Sequence, residues 1–185
     1  MSKRKSIRFF LLKFFTTYFV LFAFYSVYLN RTQEKTPVFV CSPITNSVAE
    51  QTKNTLNFLG YNVRTEPHDM ELSVKLLVNN VYTARVIEGC NSISLIILFI
   101  AFIIAFPGSF VATVLYAIIG SLLIYLVNIL RIAFLTMALY KWPDEQELLH
   151  NLVFPSIIYG MVFLLWVIWV NVFSNYKKIR DAKKI

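Results

Sequence analysis

Apolar residues in this chain fall into long unbroken runs, unlike the alternating or 3.6-residue patterns of a soluble fold. The first covers residues 9–29, with one internal cation, Lys13, near its start. About 20 residues cross a bilayer core, so this run fits a single span. Tyr25 to Asn30 offers no small-x-small cleavage site, and the run reads as a retained anchor rather than a cleaved signal peptide. Three more runs follow, at 93–106, 110–140 and 152–173, the last with Trp166 and Trp169 towards its far end as an interfacial anchor. Residues 93–106 reach only about 21 Å as a helix, which asks for local thinning or a tilted neighbour. The break at Pro107-Gly108-Ser109 leaves two readings open. It is a tight turn between two spans, or a kink in a longer one whose turn comes later, near Tyr116.

The segment between the first two runs is polar and mixed. Ser42 before Pro43 has the pattern of an N-cap followed by proline at the first helical position. Val48, Leu56 and Leu59 then give an apolar face, and Gly60 is a stop. Residues 72–78 and 81–87 alternate or are rich in β-branched side chains around Asn79-Asn80, which predicts a β-hairpin with a tight turn. The expected fold is an all-α integral membrane protein of about four transmembrane helices, with a small α+β extramembrane insert between the first and second. Residues 1–29 form a basic tail and the first helix, 30–89 the insert, 90–173 a three-helix membrane core, and 174–185 a second basic tail.

Composition agrees: 57% of the 185 residues are hydrophobic and 16% aromatic, more than soluble domains carry. The net charge of +8 is not spread as a nucleic-acid footprint would be. Lys3, Arg4, Lys5, Arg8 and Lys13 open the chain, and Lys177, Lys178, Arg180, Lys183 and Lys184 close it. Both clusters flank apolar runs, so the positive-inside rule places both tails in the cytoplasm with four crossings. The expected partner is an anionic bilayer rather than nucleic acid.

That topology puts three polar residues at one interface. Cys90 stands at the outer entrance of the second span, Arg131 near the outer end of the third, and His150 at the outer entrance of the fourth. Arg131 interrupts an apolar run, with Asn128 one turn earlier on the same face. An ionisable group costs about 2.5–3.5 kcal/mol at a span centre and is usually functional, although snorkelling to the headgroups is the competing account. Gly89 before Cys90 and Asn91-Ser92 after it mark a tight, polar helix start, where a thiol gains from the dipole and from a nearby cation. A disulfide with Cys41 competes with that role; Cys41 itself is left unassigned. His150 is preferred to His68 because it is tethered to a span end. No C-x-x-C or Cys/His ligand spacing occurs, so neither a metal nor a cofactor is expected. A thiol nucleophile, a proton carrier and a fixed cation are the parts acyl transfer needs.

Glu88-Gly89-Cys90-Asn91-Ser92, then Asn128-Ile129-Leu130-Arg131-Ile132, then His150 with Gly160 ten residues on, resemble the exosortase/archaeosortase family of membrane cysteine transpeptidases. The insert before Cys90 is most similar to the small, flavobacterial-type members. The resemblance implies a catalytic Cys90, Arg131 and His150, supported by Asn128 and Asn91. It implies a multi-pass protein of the bacterial cytoplasmic membrane with its site facing the periplasm. Its substrates would be exported proteins bearing a C-terminal sorting signal: a short motif, a hydrophobic helix and a basic tail. Cleavage at the motif would pass the protein to a membrane or surface acceptor. Two departures stand out: many members have eight spans, and Asn151 follows His150 where an acidic residue is frequent. The alternative class is a non-enzymatic membrane subunit whose polar residues hold helices together. A thiol oxidoreductase would need vicinal cysteines, which are absent, and Ser109 lacks a G-x-S-x-G setting for a serine protease.

Overall fold

The computed structural model describes residues 3–34, 39–143 and 153–174. Five helices and three strands follow in order: α1 Lys3–Thr32, α2 Pro43–Phe58, β1 Val63–Pro67, β2 Ser73–Val78, β3 Val81–Ile87, α3 Ile93–Ala105, α4 Phe110–Lys141 and α5 Phe154–Ile168, which ends in a π turn, Trp169–Phe173. Helices α1, α4 and α5 with its π turn are long and apolar enough to cross a membrane, and α3 is a shorter apolar helix between them. The chain is a multi-pass membrane protein with a small sheet inserted after its first helix.

α3 is short because it is sheltered. Thirteen residues rise about 20 Å, less than the roughly 30 Å hydrocarbon core. α3 packs against α1, α4 and α5 and buries Ile97, Phe99, Ala101, Ile103 and Ala105. Its polar N-terminal end, at Asn91 and Ser92, is buried in protein, the condition for irregular backbone at membrane depth. Of the two readings of Pro107-Gly108-Ser109, the tight turn is the one adopted: α4 starts at Phe110, capped by the Ser109 hydroxyl, which accepts from the Ala112 amide at 3.3 Å.

Neighbouring helices run antiparallel. Phe10 near the start of α1 meets Phe102 and Phe106 near the end of α3. Tyr116 on the first turns of α4 meets Trp169 and donates its hydroxyl to the Leu165 carbonyl at 2.8 Å. Trp169 is fully buried and Trp166 stacks on Phe102 at 4.3 Å. The interfacial anchor expected of the tryptophans is thus corrected for Trp169, which faces inward because Gly108, Tyr116 and Phe173 shape a slot for its ring.

α3 and α4 touch most closely at Gly120, where an added Cβ would lie 2.3 Å from Cζ of the fully buried Phe99. Phe99 has no free volume to retreat into, so Gly120→Ala is expected to cost about 1–3 kcal/mol through overpacking. A lowered thermal midpoint of the detergent-solubilised protein is the readout; an unchanged midpoint would mean that the two helices separate at no cost.

The insert forms much as its sequence reads. Ser42 caps α2, accepting from the Thr45 amide, with Pro43 at the first position. Val48 and Leu56 are buried as expected, whereas Leu59 is about half exposed because the helix has ended and Gly60 turns the chain at φ +90°. β2 and β3 form the expected hairpin, with Asn79 and Asn80 at φ +50° and +66°, the left-handed pair of a type I′ turn. β1 adds antiparallel to β2, giving the order β1-β2-β3. It escapes the sequence pattern because only Val63 of its five residues is buried.

The insert shares its core with a membrane helix. Val48, Leu56, Leu76, Val78 and Val86 cluster with Ile132 and Ala133 of α4. Thirty-two residues of α4 make a rod of about 48 Å, roughly 18 Å more than the hydrocarbon core needs. The surplus at its C-terminal end is the post on which α2 and the sheet are built, and Asn79 ties the hairpin turn to Tyr140 at 3.0 Å.

Candidate functional site

β3 runs directly into one 3₁₀ turn, Glu88–Cys90, and α3 begins three residues after the cysteine. Cys90 is half-buried against the insert core, at the end of the bundle where α4 enters that core. Asn128, almost fully buried on α4, donates its amide to the Cys90 backbone carbonyl at 2.7 Å. The Asn128 carbonyl oxygen faces the Arg131 guanidinium at 3.4 Å, a long and weak contact. Residues three apart share a helix face, so one buried amide links the cysteine turn to the arginine. Arg131 is half-buried, its Nε meets no acceptor, and no carboxylate pairs with it among the described residues. A guanidinium on an apolar helix with no carboxylate beside it among the described residues is available to an incoming negative charge.

Asn91 is fully buried, and every polar atom of its side chain is used. Its oxygen accepts from the Ile93 amide at 3.1 Å at the start of α3. Its amide donates to the Tyr25 hydroxyl of α1 at 2.7 Å and to the Thr45 hydroxyl of α2 at 3.0 Å. Ser92 then takes φ +64°, a left-handed conformation that a residue with a Cβ adopts at a cost of about 1–3 kcal/mol. Such strain persists where the surroundings over-determine it, as Asn91 does here.

Glu88, quoted in the sequence only as part of the element around Cys90, gains a role from the structure. It accepts three hydrogen bonds from the cap of α2: the Ser42 amide at 2.6 Å, the Ser42 hydroxyl at 2.9 Å and the Thr45 hydroxyl at 2.5 Å. The signal was present as a carboxylate two positions before the cysteine and a Ser-Pro-x-Thr cap elsewhere, but 43 residues separate Thr45 from Glu88.

Both cysteines are free thiols, so the competing disulfide does not form. Cys41 is buried, and that burial, with the charges of Glu88 and Glu71 adding to it, pushes its thiol up to about 12. It stays protonated at neutral pH and is a poor nucleophile. His68 sits in the β1–β2 turn, where Nδ1 accepts from the Met70 amide at 3.2 Å and Nε2 lies 3.8 Å from Glu71. Arg85 pairs with the same carboxylate at 2.8 Å. His150, Asn151, the acidic loop Asp144, Glu145 and Glu147, and the basic tail from Lys177 to Lys184 lie outside the described residues. Gly160 is on α5, with open space where a Cβ would stand.

A family model described as transmembrane exosortase, Exosortase_EpsH, matches residues 3–173, nearly the whole chain. No curated protein and no solved structure matches.

Proposed function

Because the chain belongs to the transmembrane exosortase family, we propose that it is a membrane cysteine transpeptidase acting on C-terminal sorting signals of exported proteins. The reading rests on one observation: a single buried amide, Asn128, holds the backbone of Cys90 and meets the guanidinium of Arg131. The Cys90 thiolate attacks the scissile carbonyl carbon, and Arg131 stabilises the oxyanion that forms. The C–N bond then breaks, His150 gives a proton to the leaving amine, and the hydrophobic helix departs with its basic tail. The exported protein remains on Cys90 as a thioester. A nucleophile on a membrane or surface acceptor attacks that carbonyl, His150 takes its proton, and the thiolate is released. In this proposal the site faces the periplasm of a bacterial cytoplasmic membrane, with both basic tails on the cytoplasmic side.

The test traps the thioester. The full chain is co-expressed with an exported test protein that carries a C-terminal hydrophobic helix and basic tail, chosen by screening candidates for cleavage, and membranes are denatured in acid. Mass spectrometry is expected to find the cut precursor joined to the Cys90 peptide, and hydroxylamine to release it within minutes. Cleavage with no hydroxylamine-sensitive adduct on Cys90, under conditions where acceptor attack is blocked, would sink covalent catalysis by this thiol.

A further inference from the structure

Cys90 lies between two anchored neighbours, and both anchors end on the same turn of the insert. On one side, Glu88 takes the amide and hydroxyl of Ser42 and the hydroxyl of Thr45. On the other, Asn91 donates to that same Thr45 hydroxyl, and to Tyr25 of α1. Thr45 is thus a relay: its oxygen accepts from Asn91 and its proton goes to Glu88. Ser42 and Thr45 are fully buried, so these donors have no water to turn to if the carboxylate is removed. Gly89, the one residue between Glu88 and Cys90, is exposed and makes no close approach, so it does not itself hold the turn.

We propose that Glu88 is a positioning residue for Cys90, acting through the Ser42 and Thr45 cap of α2 to fix the direction from which the thiol meets the scissile carbonyl. The proposal rests on Cys90 being the nucleophile. A carboxylate suits the task because only an acceptor with two oxygens takes three donors at once. Glutamine at the same position has one carbonyl oxygen, and its amide would point a donor at donors. Aspartate keeps the charge but is one methylene shorter, so it restores part of the grip only if the cap of α2 moves to meet it. The insert therefore joins the catalytic apparatus through the cap of α2, held against the turn that leaves β3. Misplacement of a reacting group by about 1 Å costs on the order of 100-fold in rate, and this network is what prevents it.

The experiment uses the full chain in membranes, with the same sorting-signal precursor as substrate and N-ethylmaleimide as the thiol probe. Cys41 is 3% exposed and protonated, so its labelling reports loss of the fold, whereas labelling of half-buried Cys90 reports its own turn. Glu88→Gln is expected to lower kcat for cleavage at least tenfold with KM changed less than threefold. Cys41 stays protected, and Cys90 labels as fast as in the parent or faster. Thr45→Val lowers kcat in the same way, the double variant is no worse than the poorer single one, and Glu88→Asp recovers part of the rate. Unchanged kcat in Glu88→Gln, or equal exposure of Cys41 and Cys90 in both Gln and Asp variants, would overturn the proposal. Cys90→Ala serves as the separate control. If that variant still cuts the precursor, the transpeptidase reading itself fails; if it does not cut and Glu88→Gln does so normally, only the positioning role fails.

Discussion

Cys90→Ala is expected to leave the sorting-signal precursor uncut in the membrane, with cleavage reduced by at least about 1,000-fold. Loss of a covalent nucleophile removes the reaction path itself and leaves only binding and electrostatic help over the uncatalysed rate. The substitution should spare the fold. Cys90 is half-buried, and its only hydrogen bond to Asn128 is made by its backbone carbonyl, which alanine keeps. Pulse-chase analysis of the sorting-signal precursor, beside an unchanged thermal midpoint of the variant, is the measurement. Processing at the parental rate would favour the non-enzymatic membrane subunit, whose polar residues serve only to bind helices.

The second large effect belongs to Arg131. Arg131→Ala is expected to lower the cleavage rate by about 100- to 1,000-fold, as for a lost oxyanion donor, equivalent to about 2.7–4 kcal/mol of transition-state stabilisation. Arg131→Lys keeps the charge but not the planar fork, and should recover only part of the rate. Single-turnover cleavage with saturating precursor separates this from weakened binding, because the loss should appear in the chemical step. An arginine that merely reaches for headgroups would show no difference between alanine and the parent. The guanidinium lies 3.4 Å from the oxygen of Asn128, whose amide holds the Cys90 carbonyl, and its Nε is buried.

Much of the fold was legible because its signals are local. The helix start at Ser42-Pro43, the Asn79-Asn80 turn and the apolar runs need only neighbouring residues to be understood, whereas the break at Pro107-Gly108-Ser109 left two readings open. Features that depend on distant partners were not. β1 carries one buried residue in five, so its pairing to β2 leaves almost no trace in the sequence. Trp169 reads as an interfacial anchor until Tyr116 and Gly108 are placed around it. Within the site, Asn128 and Arg131 showed themselves by interrupting an apolar helix, and Cys90 by its polar surroundings. Glu88 did not, since a glutamate in a polar segment is unremarkable until Ser42 and Thr45 are brought against it.

The length of α4 has a consequence for what such an enzyme accepts. One continuous helix, α4, passes the cysteine turn at Asn128 and then packs Ile132 and Ala133 into the insert core. In the proposed reaction the position of the thiol along the bundle is therefore set by a rigid helix as well as by its own turn. A peptide anchored by its own hydrophobic helix is held to a fixed depth as well, so the register between its bond and the thiol is decided by counting residues from the lipid boundary. One inserted residue shifts an extended peptide by about 3.3 Å, already more than the reach of a hydrogen bond. In the proposed reaction, selection of the cut position then comes as much from distance as from side-chain identity.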